Sequence, residues 1–168
     1  MKKFYALLLA GVMTVACAMP TMAAPSPVAG AVESAATVTV PVSGAAVKAV
    51  DQALAKEVVT YAADAKFLTD LNVPTKVELA AAFDLTYSET IPAGGVQIPL
   101  VVSSAKAGQT VYVLHRRDDL PNKPWEKVGE AVLGSDLKVT ATFTSFSPVI
   151  ILVGDSVSGV TAPKTGEY

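Results

Sequence analysis

The stretch VELAAAFDLTY, from Val77 to Tyr87, has the clearest strand pattern in this chain. Apolar or aromatic side chains stand at all its odd-numbered positions, and Glu78, Asp84 and Thr86 are among the residues between them. A period of two places successive side chains on opposite faces of an extended chain. The stretch therefore predicts a β-strand with one buried face and one face in water.

Five further segments downstream have the composition of short strands. Their predicted ranges are 96–102, 110–116, 125–133, 137–143 and 149–153, and turn residues separate them. Pro99 has no backbone N–H, so its segment is predicted to be an edge strand or to contain a bulge. Several short strands joined by turns are typical of an antiparallel sandwich or barrel.

Two segments ahead of the long strand have the spacing of helices. Apolar residues recur every three or four positions over 45–57, which predicts a helix with Ser43 as its N-cap. A second helix is predicted over 62–71, and a short strand is predicted over 37–42.

The predicted fold class is α+β, predominantly β. It consists of an antiparallel β-sandwich of about six to seven strands preceded by one or two short helices. Four regions follow along the chain: a signal peptide (1–23), a flexible leader (24–44), the α+β sandwich domain (45–153) and a disordered tail (154–168).

The N-terminal residues have the pattern of a secretory signal. Lys2 and Lys3 precede an apolar run over 4–18, which is shorter than the roughly 20 residues that a membrane-spanning helix needs. Small residues then follow a proline, and cleavage is predicted after Ala23. Cleavage after Ala24 would leave a proline as the first residue of the exported chain.

Cys17 is the only cysteine of the chain. Because it ends an apolar run, it leaves open a lipidated N terminus in place of a cleaved signal, and an uncleaved anchor is the other alternative. If cleavage follows Ala23, the exported chain has no cysteine and can form neither a disulfide nor a thiolate metal site. No cofactor is predicted.

The exported chain is acidic. The sequence has 13 Lys and Arg against 15 Asp and Glu, so loss of Lys2 and Lys3 leaves 11 against 15, a net charge of −4. This balance argues against a nucleic-acid partner, which requires a basic face. No second apolar stretch is long enough to predict a stable transmembrane span.

Three segments resemble small Ig-like β-sandwich modules found in exported proteins of anaerobic Gram-positive bacteria. They are a tyrosine-containing strand (111–116), a Trp-Glu strand (125–128) and the stretch 139–148, which contains Phe-Thr-Ser-Phe-Ser-Pro. The resemblance covers roughly residues 75–166. It implies a fold and an extracellular location rather than an activity.

Such modules often stand just before a cell-wall sorting motif. Ala162, Pro163, Lys164, Thr165 and Gly166 resemble the Leu-Pro-x-Thr-Gly signal of sortase substrates. The resemblance implies that a sortase would join the threonine to the cell wall. Alanine replaces the leucine, and two residues follow the motif where sortase substrates have an apolar span and basic residues. A truncated sequence, a relic motif in a released protein and a chance tail all remain alternatives.

Catalytic and metal-binding candidates are few. His115 is the only histidine, and Asp118 and Asp119 are near it in sequence, but no Gly-x-Ser-x-Gly motif is present. A histidine at the end of a strand is more often a surface or packing residue. Asp118, Asp119 and Asn122 could bind calcium, but their spacing matches no EF-hand and favours a polar hairpin.

Trp125 and Tyr112 are the candidate ligand-binding residues, as a stacking platform for a sugar. A single tryptophan in an alternating strand more often fills the core. We therefore expect a non-enzymatic secreted or cell-surface β-sandwich module with a structural, stalk or adhesion role. The expected partners are sortase and the cell wall, and a glycan or a surface protein. The alternatives are a carbohydrate-binding module and a small hydrolase around His115.

Overall fold

The structure is a computed structural model and describes residues 38–156. The predicted signal peptide, its cleavage site at Ala23 and Ala24, most of the leader and the sorting motif at 162–166 lie outside the described residues. In chain order the elements are β1 (Val38–Thr39), β2 (Ala45–Ala49), α1 (Gln52–Ala63), α2 (Ala65–Asp70), β3 (Val77–Tyr87), β4 (Val96–Val102), β5 (Gln109–Arg116), β6 (Trp125–Val132), β7 (Lys138–Phe143) and β8 (Pro148–Ser156).

The eight strands form two antiparallel sheets. The smaller sheet has the order β1-β4-β7, and the larger has the order β2-β3-β8-β5-β6. Every pair of neighbouring strands is antiparallel. The predicted α+β, predominantly β sandwich is confirmed. The described range has eight strands, because β2 adds to the predicted set, whereas β1 lies within the short strand predicted over 37–42.

An inner core fills the space between the two sheets. It is made of the inward-facing residues of β3, β4, β5, β7 and β8, with Phe83 and Phe143 as its largest members, both 0% exposed. Burial of such side chains contributes roughly 2–3 kcal/mol each. The chain has no disulfide in the described range, so this apolar packing is what holds the sheets together.

The two helices form a third layer on the outer face of the larger sheet. Leu54 and Val58 of α1 and Leu68 of α2 pack against Leu114 and Leu152, which point away from the sandwich interior. This second cluster is the outer core. Among residues 38–156, neither helix has the length and hydrophobicity needed to cross a bilayer.

The long strand β3 matches its predicted bounds, but only part of its outer face is in water, since Ala82 is buried there and Thr86 is exposed. A bulge lies between Leu79 and Ala81, since Leu79 pairs with Leu152 and Ala81 pairs with Ile151. The extra residue reverses which face the following side chains occupy. Leu79 therefore packs in the outer core, whereas Ala81 packs in the inner core.

The helix predicted over 45–57 is wrong in its first half. Residues 45–49 form β2, which pairs with β3 from Tyr87 to Phe83, and the helix begins at Gln52. Asp51 is the N-cap, with its carboxylate accepting the Leu54 N–H at 2.8 Å, so Ser43 does not cap it. Pairing with a distant strand overrides the local helical spacing.

Two domain boundaries also differ from their predicted positions. The leader was expected to reach residue 44, but Val38 pairs with Val102 in β1 and belongs to the sandwich. The tail was expected to begin at Gly154, but β8 continues to Ser156.

Both ends of the described domain lie at one end of the sandwich, which we call the proximal end. Val38 pairs with Val102, Ser156 pairs with Gln109, and the short turn 103–108 joins those two partners. The opposite, distal end carries the loops 88–95, 117–124 and 144–147, which follow from the pairing of Val96 with Phe143 and Arg116 with Trp125.

Candidate functional site

Most of the polar side chains that the sequence singled out meet at the distal end, where β5 turns into β6. We call this group the β5–β6 corner. It consists of His115, Arg116, Arg117, Asp118, Asp119, Glu126, Ser145 and Ser147.

His115 occupies the last inward-facing position of β5. Its ring is 0% exposed and packs edge-on against Phe143, with ring centroids 5.4 Å apart. Its Nδ1 atom lies 3.2 Å from Glu126 Oε1, directly across the strand pair, and its Nε2 atom lies 3.0 Å from Ser147 Oγ. A buried imidazole with a partner at each nitrogen is a fully satisfied polar group.

The histidine ties three segments together. Glu126 belongs to β6, and Ser147 belongs to the turn between β7 and β8. The Ser147 hydroxyl also donates a hydrogen bond to the backbone carbonyl of Arg116 at the end of β5. A side chain from β6 and one from the β7–β8 turn therefore meet at a buried ring of β5.

Burial lowers the pKa of His115 below that of a free histidine. The hydrogen bond and negative charge of Glu126 oppose the shift, as does Asp119, whereas Arg117 adds to it. The neutral form is therefore favoured near pH 7.

The two arginines of the corner are held by the two aspartates that follow them. Arg116 Nε donates to Asp118 Oδ1 at 2.6 Å, and Arg117 donates to Asp119 through Nε and Nη2 at 2.8 and 2.7 Å. The Arg117 guanidinium lowers the pKa of the Asp119 carboxyl well below its usual range. Ser145 Oγ donates a further bond to Asp119 at 3.0 Å.

This pairing bears on calcium binding by Asp118, Asp119 and Asn122, the alternative to a polar hairpin. Both carboxylates of Asp118 and Asp119 are occupied by guanidinium groups at hydrogen-bond distance. Within the described residues, no group of three or more acidic, histidine or cysteine side chains is arranged to hold a metal ion. The hairpin interpretation fits this geometry better than the calcium interpretation.

The Ser147, His115 and Glu126 side chains have the hydroxyl–imidazole–carboxylate order of a hydrolase triad, but their surroundings differ from an active site. The imidazole is 0% exposed and packs edge-on against Phe143, and the hydroxyl lies within hydrogen-bond distance of the Arg116 carbonyl as well as of Nε2. None of the three lines either of the two described pockets. The arrangement is suited to holding segments together rather than to attacking a substrate.

Those two pockets lie on the helix side and at the proximal end. The larger, of about 460 Å³, lies between α1 and the start of β3, with Val59, Val77 and Leu79 in its wall. The smaller, of about 280 Å³, shares Val77 and Glu78 with it.

Trp125 and Tyr112 do not form the predicted sugar platform. Tyr112 is 6% exposed and lies in the outer core, because the helices cover that face of β5. Trp125 is half-buried, and the rings of Tyr61 and Phe67 stand edge-on to it at 5.9 and 6.4 Å. The two rings therefore present no shared face to solvent.

The Trp125 indole also contacts a charged neighbour. The Arg116 guanidinium lies 5.8 Å from the centre of the indole ring, in cation–π contact. The indole Nε1 is buried without a hydrogen bond of good geometry. It is close enough to the Tyr61 oxygen to act on the pKa of that hydroxyl, which the bond to Glu57 raises.

Glu126 and Ser147 were missed at the sequence level, where Asp118 and Asp119 were considered as partners of His115. A signal for Glu126 was present, since strands ending at 116 and beginning at 125 place residues 115 and 126 opposite each other. Ser147 had no such signal, because its position depends on the pairing of β5 with β8.

Comparisons of this chain with protein-family models, with curated proteins and with solved structures find no match.

Proposed function

We propose that this protein is an exported, non-enzymatic β-sandwich module that holds its distal loops out toward a partner at the cell surface. The signal-like N terminus and the Ala162–Gly166 motif support export and surface attachment. The charges of the β5–β6 corner are paired with one another, which supports a binding or structural role over catalysis.

One observation carries the proposal: both ends of the described domain lie at the proximal end of the sandwich. A module linked through either end therefore points its distal loops away from the point of attachment. An in-line stalk unit would need its two connections at opposite ends. The geometry accordingly favours a terminal module that presents loops over a spacer in a stalk.

The composition of the distal loops fits this role. Ile91 is 36% exposed and Leu120 is 39% exposed, and each lies in a different distal loop. The loop 117–124 is held in place by the Arg117–Asp119 pair and by the Ser145 bond from the neighbouring turn. A pre-ordered loop loses less conformational entropy on binding than a free one.

Fractionation of native cells with mass spectrometry of the intact protein tests export. We expect the chain in the wall or medium fraction, with its N terminus at Ala24. Recovery from the cytosol with residues 1–23 still attached would contradict the proposal. A lipid-modified Cys17 in the membrane fraction would keep surface location but replace the predicted cleavage site.

A further inference from the structure

One hydroxyl group at the distal end has two hydrogen-bond partners but only one hydrogen to donate. Ser147 Oγ lies within hydrogen-bond distance of the Arg116 backbone carbonyl and also of His115 Nε2. The other ring nitrogen of His115 faces Glu126 Oε1 at 3.2 Å. Three contacts therefore share a small number of hydrogens.

Counting those hydrogens shows which protonation state completes all three contacts. A carbonyl oxygen has no hydrogen, so Ser147 must donate to Arg116. The hydroxyl has one hydrogen, so toward His115 it can only accept, and Nε2 must be an N–H. Because an ionised Glu126 carboxylate only accepts, Nδ1 must be an N–H as well. With Glu126 ionised, only the doubly protonated ring satisfies all three contacts.

We propose that His115 is a proton-operated switch: its doubly protonated ring fixes the Ser147 hydroxyl on the Arg116 carbonyl, and its neutral ring draws that hydroxyl away. The switch joins the β7–β8 turn to the end of β5, where the distal loop 117–124 begins. This inference stands whether or not the protein is exported.

In the neutral state one of the three contacts must be lost. The bond from Nδ1–H to the Glu126 carboxylate is charge-assisted, and such bonds are roughly twice as strong as neutral ones. The remaining hydrogen therefore stays on Nδ1, and Nε2 becomes an acceptor. The Ser147 hydroxyl then turns from the Arg116 carbonyl to Nε2, which leaves the last carbonyl of β5 without that donor.

The groups around the His115 ring determine the pH at which the switch operates. The negative charges of Glu126 on β6 and Asp119 in the distal loop favour the doubly protonated ring, and the positive charge of Arg117 disfavours it. Arg117 Nη1 lies 3.7 Å from Glu126 Oε2. The other elements packed on the ring present Phe143 and Val149, which carry no charge. Because the ring is 0% exposed, burial dominates and moves the transition below the pH at which a free histidine titrates.

Nuclear magnetic resonance of an untagged exported chain tests the switch, since His115 is the only histidine and gives a single set of ring signals. We expect the two ring ¹⁵N shifts at pH 7.5 to show a neutral ring with its hydrogen on Nδ1. On acidification to pH 4.5, the carbonyl ¹³C shift of Arg116 is expected to change with the same midpoint as the ring.

Three variants separate the switch from simple packing. In Ser147→Ala the ring still titrates, but the Arg116 carbonyl no longer follows it. The matched control Ser145→Ala removes the hydroxyl that bonds Asp119, and it keeps the coupling. In Glu126→Gln the midpoint moves to lower pH, because the negative charge that favours the doubly protonated ring is gone.

Three results would overturn the proposal. One is a neutral ring with its hydrogen on Nε2. Another is an Arg116 carbonyl shift that stays constant while the ring titrates. The third is a ring that does not titrate between pH 7.5 and 4.5.

Discussion

At the residue scale, His115 explains how a polar side chain can stand in an apolar core. Among residues 38–156 it is the one polar or charged residue that is fully buried, and it has a partner at each ring nitrogen. An unpaired imidazole at this depth would cost roughly 1–3 kcal/mol. Glu126 and Ser147 remove that cost, so the ring packs against Phe143 as an ordinary core aromatic.

The buried histidine makes stability depend on pH. Because the pKa of His115 is lowered in the folded protein, the unfolded chain binds the proton more readily. The free energy of unfolding therefore falls as pH drops through the titration range of a free histidine, and the loss is complete once the pH lies below the folded-state pKa. Urea unfolding at pH 7.5, 6.5 and 5.5 measures it. His115→Gln is expected to be less stable at pH 7.5 and to show a flatter dependence, and an equal slope in both proteins would contradict this account.

Alanine substitutions at three glycines near turns distinguish the cost of backbone strain from the cost of a steric clash. Gly95 has φ of +79° and an added Cβ would lie 2.8 Å from the Phe143 carbonyl oxygen. Gly108 has φ of +87° with open space around it, and Gly94 has neither constraint. In urea unfolding we expect Gly94→Ala to be near neutral, Gly108→Ala to cost about 1 kcal/mol and Gly95→Ala about 2–3 kcal/mol. Equal costs for Gly95→Ala and Gly108→Ala would show that the Phe143 carbonyl yields freely.

At the element scale, the strands were more predictable than the helices. Period-two alternation is a local property, so 77–87 and 96–102 match the observed strands at both ends. In 45–57 the spacing of Val47, Val50 and Leu54 fits a helix, yet Val47 lies in β2, opposite Leu85. The choice between helix and strand at this position depends on the pairing with β3, some 40 residues away. A local pattern of apolar residues carries no information about that pairing.

The same limit applies to the bulge in β3 and to the partners of His115. The extra residue at Ala80 moves Leu79 to the outer core, although alternation assigns it to the same face as Ala81. Ser147 meets His115 through the β5–β8 ladder, which the sequence does not specify. Positions fixed by one strand were thus predictable, whereas positions fixed by the register between strands were not.

The start of α1 provides a direct test of the corrected boundary. Asp51→Ala removes the carboxylate that accepts the Leu54 N–H, and it is expected to cost about 1 kcal/mol in urea unfolding. Ser43→Ala, at the cap position that the sequence predicted, is the control, and we expect a change within about 0.5 kcal/mol. A larger loss for Ser43→Ala than for Asp51→Ala would restore the longer helix.

At the scale of the whole molecule, the larger sheet is shared by two cores. β3, β5 and β8 contribute residues to the inner core on one face and to the outer core on the other. Loss of either core therefore exposes one face of the same strands. This sharing predicts that the sandwich and the helical layer unfold together.

Matched leucine truncations measure that coupling. Leu100 lies in the inner core and Leu68 in the outer core, at 0% and 1% exposure. Each Leu→Ala change is expected to cost about 2–5 kcal/mol. Trp125, the only tryptophan, reports on the outer core by fluorescence, and circular dichroism reports on the sheets. We expect coincident transitions in both variants, whereas an earlier fluorescence transition in Leu68→Ala would mean that the helical layer unfolds separately.

Cysteine labelling on intact cells measures whether the module is attached at its proximal end and presents its distal loops, as we propose. Thr90→Cys places a thiol at an exposed position of the distal loop 88–95. Ser135→Cys places one at an exposed position of the loop 133–137, which lies at the proximal end because Val132 pairs with Thr110 and Lys138 with Val101. With a protein-sized maleimide reagent, both purified variants should react equally fast. On intact cells we predict fast labelling at position 90 and slow labelling at position 135. Equal labelling on cells, or faster labelling at position 135, would contradict the account.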